Sequence, residues 1–176
     1  MTNQHSTVSA DRGDRDLFTG SRNRERSLNA AVVRAEIKES FEEFLDIFDA
    51  FYSDDVEVSS DTREEPIRGK AKVRSLLLSF LLPLHVMAEV GGVAISVRET
   101  PIPGDAPNAA HSAWTVDLVG VSGATCTVSW RTLRKWNGSH VVYERHYDHQ
   151  QSGGPLTLDD LGVNMARLQA GFRRPS

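Results

Sequence analysis

Residues 129–150 read SWRTLRKWNGSHVVYERHYDHQ, and this stretch decides how the rest of the chain is interpreted. Two runs rich in β-branched and aromatic residues flank Asn137-Gly138, a dipeptide that favours a tight hairpin turn because both residues tolerate positive φ angles. The predicted strands also carry tryptophans, arginines, histidines and acidic residues in close alternation. A strand buried only for packing would not need so many titratable groups, so we expect this hairpin to line a functional site.

The register of the hairpin depends on the type of turn that the Asn-Gly dipeptide forms. A two-residue turn places Arg131 opposite Glu144, whereas a three-residue turn with a bulge shifts the pairing by one residue and places Trp130 there. The sequence leaves both registers open. In either register Glu144, His146 and Asp148 share one face of the second strand, because they are spaced two residues apart.

The chain before the hairpin divides into helices followed by strands. Apolar residues at steps of three and four over residues 29–52 predict a helical unit, and a capping box at Ser40 indicates a break into two helices. Residues 70–82 predict a further helix, which Pro83 ends. The predicted strands cover residues 56–58, 86–98, 110–121, 125–136 and 139–149.

Helices segregated from a run of strands give the α+β class. We expect a cone-shaped, curved antiparallel β-sheet packed against N-terminal helices, with room for a small molecule inside. The expected organisation is a disordered N-terminal arm over residues 1–26, one domain over residues 27–150, and a linker with a short helix over residues 151–176. The arm is polar, so burial cannot offset the entropy lost on ordering it.

Composition excludes several classes of partner. The chain has 176 residues and a formal net charge of −4, which argues against a nucleic acid or an anionic membrane as the partner. Its single cysteine, Cys126, cannot form an internal disulfide, which suits a reducing cytoplasm. The N-terminus has no apolar core typical of a secretory signal, and the longest apolar run is too short to span a bilayer. We therefore expect a soluble cytoplasmic protein.

Three motifs resemble the nuclear transport factor 2-like superfamily and, within it, the SnoaL-like (polyketide cyclase-type) domains. They are the segment 51–56 (FYSDDV) closing the first helical unit, the segment 67–70 (IRGK) opening the next, and the hairpin 136–148. The resemblance covers residues 30–150. It implies a cystatin-like cone, a pocket inside the cone, and a homodimer formed through the outer face of the sheet.

The chemistry of that superfamily is diverse, so the resemblance alone does not select a reaction. Its members catalyse aldol cyclisation, ketosteroid isomerisation, epoxide hydrolysis or dehydration, or catalyse nothing. The isomerase base would fall at Ser60, and Asp61, one residue on, would face the other way, which argues against an isomerase. The epoxide hydrolase relay would need Asp117, Arg131 and Asp148, whose predicted registry does not match the pattern.

The predicted catalytic residues are Glu144, His146 and Asp148. A histidine flanked by carboxylates suits general acid/base work, because its ordinary pKa lies near neutrality. The non-functional alternative is that these residues lie on a solvated outer face of the sheet, where Glu144 pairs with Arg131. The predicted ligand-binding residues, which would surround an aromatic ligand, are Tyr52, His85, Trp114, Asp117, Trp130, Tyr143, Arg145 and Tyr147.

A further alternative turns Trp130, Tyr143, Arg145 and Tyr147 inwards. The buried guanidinium of Arg145 would then need an anionic partner, either Asp117 or the ligand. On a regular strand, residues 146 and 149 would present their imidazoles on opposite faces, so no metal site is predicted. No cofactor is predicted either.

These observations lead to a functional hypothesis for the whole domain. We expect it to bind a hydrophobic, aromatic or polycyclic small molecule inside the cone. If it is an enzyme, the chemistry would be cofactor-independent acid/base catalysis of the cyclase, isomerase or epoxide hydrolase type. The competing hypotheses are a non-catalytic dimerisation or ligand-sensing module and the small subunit of a ring-hydroxylating dioxygenase.

Overall fold

The computed structural model describes residues 22–34, 41–79, 93–104, 106, 108–154 and 156–157. Within these residues there are three helices, namely α1 (22–34), α2 (Phe41–Phe51) and α3 (70–79). The strands are β1 (Tyr52–Ser60), β2 (Ile67–Arg68), β3 (Ala94–Ile102), β4 (Ala109–Val119), β5 (Thr125–Asn137) and β6 (His140–Gly153). The predicted α+β class is confirmed. No described helix is both long enough and apolar enough to cross a membrane.

The six strands form one curved, unclosed sheet in the order β2-β1-β6-β5-β4-β3. Strands β3 to β6 make the predicted antiparallel meander. The sheet is nevertheless mixed, because β1 lies parallel to β6 and antiparallel to β2. This placement brings the end of α2 and the start of β1 beside the hairpin that the sequence singled out.

The helical predictions hold over the residues that the structure describes. Residues 41–51 and 70–79 are helical as expected, while residues 35–40 and the C-terminal helix lie outside the described part. Residues 22–26, assigned to the disordered arm, belong to α1. The apolar pattern missed them because the buried face of α1 includes the polar Glu25 and Asn29 beside Leu28 and Ala31.

The core lies between the helices and the inner face of the sheet. Phe44 and Phe48 of α2 are buried, and the ring of Phe48 stacks on Tyr52 with centroids 4.3 Å apart. Val56 of β1 and Val141 of β6 are fully buried in the same cluster. Apolar residues at helical spacing on α2 therefore anchor the helix on β1 and β6.

Neither predicted register of the β5–β6 hairpin is correct. Asn137 pairs with His140, so the turn consists of Gly138 and Ser139, one residue later than expected. Gly138 has a φ of 59°, the left-handed conformation that the Asn-Gly signal anticipates. Two irregularities then interrupt the pairing, one at Lys135/Trp136 and one at Ser129/Arg131.

These irregularities change which residues of β6 face inwards. The second one falls at Asp148, whose φ of 58° is unusual for a residue other than glycine. The inner face of β6 carries Val141, Glu144, His146 and His149. The prediction that Asp148 shares a face with Glu144 and His146 is therefore wrong, since the bulge turns it outwards and brings His149 in.

The last strand also runs further than predicted. Residues 150–153, assigned to a linker, continue β6 and pair with residues 126–129 of β5. Gly153, with a φ of 81°, approaches β5 so closely that a Cβ there would stand 2.3 Å from the carbonyl oxygen of Thr125. Only glycine fits this approach, so the strand ends in a glycine for a steric reason.

Candidate functional site

A cavity of about 340 Å³ lies between the helices and the inner face of the sheet. Helices α2 and α3 supply an apolar wall that includes Phe44, Val73 and Leu77. The opposite wall consists of side chains from β1, β4, β5 and β6 together with the β1–β2 turn. A cavity of this size and composition suits a small organic molecule.

The floor of the cavity contains a buried cation that the sequence did not single out. The guanidinium of Arg134 on β5 donates from Nε to Glu144 Oε2 at 2.6 Å and from Nη1 to Glu25 Oε1 at 2.7 Å. It also donates to the side-chain oxygen of Asn29. The side chains of Arg134 and Glu144 are 4% and 3% exposed. The helix α1 therefore supplies part of the counter-charge for a cation on the sheet.

Glu144 is the central acceptor of this network. Its Oε2 also accepts a hydrogen bond from the Tyr52 hydroxyl, and its Oε1 lies 2.6 Å from His146 Nε2. Burial alone would raise the pKa of Glu144, but the charges and hydrogen bonds of Arg134 and His146 hold it well below its ordinary value. Burial raises the pKa of Tyr52 well above its ordinary value. The carboxylate thus stays ionised while the phenol stays neutral and donates.

His146 connects this network to the cavity. It lines the cavity wall, and its side chain is 23% exposed. In the neutral form of the ring the proton belongs on Nε2, because Nε2 faces an ionised carboxylate, and Nδ1 then carries the lone pair. Among the described residues Nδ1 has no hydrogen-bond partner. A histidine held in one tautomer by a carboxylate is suited to accept a proton from a bound molecule.

A stack of aromatic rings forms the adjoining wall. The rings of Trp114 and Trp130 lie 6.0 Å apart and almost parallel. The imidazole of His149 continues the stack, with its centroid 6.4 Å from that of Trp130. All three residues line the cavity. Flat, apolar surfaces of this kind favour a flat, apolar ligand.

His149 is held from behind by Asp61, which lies in the turn after β1. The Nδ1–H of His149 donates to Oδ1 of Asp61, and the backbone N–H of His149 lies 3.4 Å from Oδ2. Desolvation would raise the pKa of Asp61, but the hydrogen bonds from His149 lower it. A second histidine–carboxylate pair therefore lies on the wall of the same cavity.

Comparisons with known proteins agree with this architecture. No protein-family model matches the sequence, and no curated protein matches it. Among solved structures, a candidate isomerase from Bacillus subtilis is 13% identical, superimposes with a TM-score of 0.50, and the match covers 83% of this chain and 95% of that one. A candidate polyketide cyclase from Xanthomonas campestris is 16% identical, with a TM-score of 0.48 over 72% of this chain and 91% of that one.

A further structure, an NTF2-like protein of unknown function from Cytophaga hutchinsonii, is 13% identical. Its TM-score is 0.47, and the match covers 71% of this chain and 96% of that one. The chain has the nuclear transport factor 2-like fold. The order of the helices and strands and the curved, unclosed sheet confirm the fold that the three sequence motifs implied. At identities this low, a structural match shows the fold alone and does not indicate a reaction.

The nuclear transport factor 2-like fold brings five of the predicted site residues together around one cavity. They are Tyr52, Trp114, Trp130, Glu144 and His146. The alternative in which Glu144 pairs with Arg131 is wrong, because Glu144 binds Arg134 instead. His85 lies outside the described residues.

The other predicted site residues lie on the outer face of the sheet. Asp117 pairs with Arg98 at 3.0 Å, and the hydroxyl of Tyr143 lies 3.0 Å from that of Ser59. The guanidinium of Arg145 lies over the ring of Tyr147. None of these residues lines the cavity. The alternative with an inward-facing Arg145 is therefore wrong.

Asp148 also lies outside the cavity. It pairs with Arg131 at 3.3 Å, and both side chains are 54% exposed. Asp117 and Arg131 also lie on the outer face. The three residues that an epoxide hydrolase relay would need are therefore all away from the cavity, as their predicted registry indicated.

The sequence contained signals for three of the residues that were missed. Arg134 follows Trp130 and Thr132 at a period of two, which places all three on one face of β5. Glu25 and Asn29 are four residues apart, a spacing that places them on one side of a helix. The sequence did not show that this face of β5 packs against this side of α1.

We expect the free energy of unfolding to fall as the pH is lowered through the acidic range, because of Glu144. The folded pKa of this carboxyl lies below the value of about 4.3 expected in the unfolded chain. Its stabilising contribution is therefore fully present above that value and is lost as the pH falls towards the folded pKa. Each unit of depression corresponds to about 1.4 kcal/mol.

Urea unfolding between pH 7 and pH 3 measures this effect. Glu144→Gln should reduce the dependence on pH, because the amide does not titrate. The control is Glu57→Gln, which removes a surface carboxylate paired with Arg68 and should leave the dependence close to that of the parent protein. An unchanged pH dependence in Glu144→Gln would contradict the assignment of an ionised, buried Glu144.

Proposed function

We propose that the cavity binds a hydrophobic, aromatic or polycyclic small molecule that carries a carbonyl group, and that His146 acts on it as a general base without a cofactor. The reaction class is proton abstraction next to the carbonyl, as in cyclisation or isomerisation. The observation that carries the proposal is the chain of contacts from Arg134 through Glu144 to His146 on the wall of an apolar cavity.

The walls of the cavity support the ligand class. Side chains such as Leu77 and Val128 offer only apolar surface, and the two tryptophans add flat aromatic faces. The indole N–H groups of Trp114 and Trp130 have no acceptor within the described residues. Buried donors without acceptors are costly, and a ligand oxygen that reaches either indole would remove that cost. An aromatic body with a carbonyl oxygen meets both requirements.

The network supports the base. Arg134 keeps Glu144 ionised, and Glu144 in turn fixes the tautomer of His146 and stabilises the imidazolium that forms when Nδ1 takes a proton. The rigid, buried hydrogen bonds limit rotation of the imidazole, so little reorganisation is needed during proton transfer. Burial of Arg134 and Glu144 away from water strengthens the electrostatic interaction between them.

Tryptophan fluorescence tests the binding part of the proposal. The chain has three tryptophans, of which Trp114 and Trp130 line the cavity, whereas Trp136 is buried and donates to Glu25. We expect aromatic ketones, such as β-tetralone and larger fused-ring ketones, to change the emission of the parent protein. The change should persist in Trp136→Phe and shrink strongly in Trp114→Phe/Trp130→Phe.

Two results would contradict binding in the cavity. One is the absence of any response to a broad panel of aromatic ketones. The other is a response that survives in Trp114→Phe/Trp130→Phe and disappears in Trp136→Phe, which would place the ligand elsewhere. Binding of ketones without any turnover would favour the ligand-sensing module over the enzyme.

The proposal includes a homodimer formed through the outer face of the sheet. This face carries the partly exposed tyrosines Tyr143 and Tyr147 beside Arg145. Aromatic and arginine side chains are enriched at protein interfaces. Analytical ultracentrifugation should report a dimer, and Tyr147→Glu should shift it towards the monomer. A parent protein that is monomeric at all accessible concentrations would remove the homodimer from the proposal.

A further inference from the structure

His149 and Asp61 form a histidine–carboxylate pair that the predicted site did not contain. The side chain of His149 is 28% exposed and lines the same cavity as His146. Its Nδ1–H donates to Asp61, and Nε2 has no hydrogen-bond partner within the described part of the chain. Nε2 is therefore the ring nitrogen available to a bound molecule.

The backbone places His149 in the cavity at a conformational cost. On a regular strand the residue two positions after His146 would face inwards, and that residue is Asp148. Asp148 instead adopts a φ of 58° in a bulge, so that the next residue faces the cavity. Strained backbone of this kind is concentrated at functional sites. The stacking of His149 on Trp130 then fixes the plane of the imidazole.

The two histidines differ in what else their carboxylates bind. Glu144 is buried, and the guanidinium of Arg134 already compensates its charge. Within the described residues Asp61 forms an ion pair with His149 and with no lysine or arginine. Two titratable groups in one site with different surroundings are suited to opposite roles, one as base and one as acid.

We propose that His149, positioned by Asp61, is the proton donor that works together with His146 as the base, and that the substrates are enolisable ketones or enones with an aromatic body. This inference rests on the proposed function, because it needs a ketone bound in the same cavity. Asp61 acts through His149 and is a positioning residue.

The proton transfers balance without any further reactant. His146 Nδ1 takes a proton from the carbon next to the carbonyl, the C–H electron pair forms the carbon–carbon double bond, and the carbonyl π pair moves onto oxygen. The imidazolium of His149 gives its Nε2 proton to that oxygen, which leaves an enol. In the second half, His149 takes the hydroxyl proton back and His146 delivers its proton to carbon. Delivery to a different carbon of a conjugated system isomerises the substrate, and both histidines return to their starting forms.

Deuterium exchange measures the first half of this cycle directly. β-Tetralone in D₂O exchanges its α-protons when it enolises, and proton NMR follows the loss of their signals. We expect the parent protein to accelerate the exchange and His149→Gln to lower the maximal rate by roughly 10²-fold, the scale of a general acid. The affinity for β-tetralone, measured by tryptophan fluorescence, should change much less, since the apolar walls stay in place.

Two further sets of variants separate proton donation from structure. His140→Gln is the matched control, because His140 lies at the exposed hairpin turn and should leave the exchange rate unchanged. Asp61→Asn should lower the maximal rate more than the affinity, and Asp61→Glu should restore part of the rate by returning the carboxylate. A purely structural role for Asp61 would instead lower the thermal stability of both variants and leave the rate of the remaining folded protein unchanged.

The outcomes distinguish this inference from the proposed function. Exchange at the parental rate in His149→Gln, combined with its loss in His146→Gln, would overturn the donor role of His149 and leave His146 as the base. A parent protein that binds no ketone would overturn both. Circular dichroism of each variant confirms that the rates refer to folded protein.

Discussion

Arg134→Met is expected to lower the free energy of unfolding by about 3–5 kcal/mol, the cost of removing one partner from a buried ion pair. The substitution keeps most of the side-chain volume but leaves the carboxylates of Glu144 and Glu25 without their shared cation. It also removes the donor to Asn29, which connects α1 to the sheet. Urea unfolding followed by circular dichroism measures the loss.

Arg98→Met is the matched control for this prediction. The Arg98 side chain is 69% exposed and pairs with Asp117 at the surface, so its loss should cost less than about 1 kcal/mol. The double variant Glu25→Gln/Arg134→Met should lose less unfolding free energy than the sum of the losses in the two single variants, because both substitutions remove the same interaction. Equal losses in the two Met variants would contradict a buried, charge-compensating Arg134.

His146→Gln is expected to lower the rate of ketone enolisation by about 10²–10⁴-fold, the usual contribution of a general base. Glutamine keeps a polar group near Glu144 but offers no imidazole lone pair. The affinity for the ketone should change little, since the apolar wall from α2 and α3 remains. Deuterium exchange into β-tetralone gives the rate, and tryptophan fluorescence gives the affinity.

Asp148→Asn is the informative companion variant. The spacing of the sequence assigns Asp148 to the catalytic face, whereas the structure pairs it with Arg131 outside the cavity. Asn tolerates positive φ angles, so the bulge at this position should survive the substitution. We expect a parental exchange rate. A loss as large as that of His146→Gln would show that Asp148 enters the site and would contradict the arrangement of β6.

Much of the fold was predictable because its signals are local. The helical period on Phe44 and Phe48 and the position of a hairpin near Asn137-Gly138 are each properties of short segments. Element ends were less accurate, as in β1, where the predicted strand 56–58 grew to Tyr52–Ser60. The parallel pairing of β1 with β6 was not predictable, because it depends on contacts between distant segments.

The site was only partly predictable, for a different physical reason. Assigning Glu144 and His146 to one face required only the period of a strand, and the structure places both at the cavity. The structure places His149 at the cavity in place of Asp148, because a bulge interrupts the strand there. A prediction based on regular strand alternation cannot locate such a bulge. The role of Arg134 required Glu25, which lies in a segment whose buried face is too polar to be read as helix.

The parallel pairing of β1 with β6 also bears on how the chain matures. Tyr52 pairs with Val141, and Val58 pairs with Glu144. The first strand therefore cannot complete its pairing until the last strand has been synthesised. During synthesis on the ribosome, one edge of β1 therefore stays unmatched until nearly the whole domain has emerged. Distant strand partners slow folding, and unsatisfied edges invite misassembly. The hollow that holds His146 should accordingly be the last part of the molecule to take shape, and nascent chains that stall before β6 should depend on chaperones.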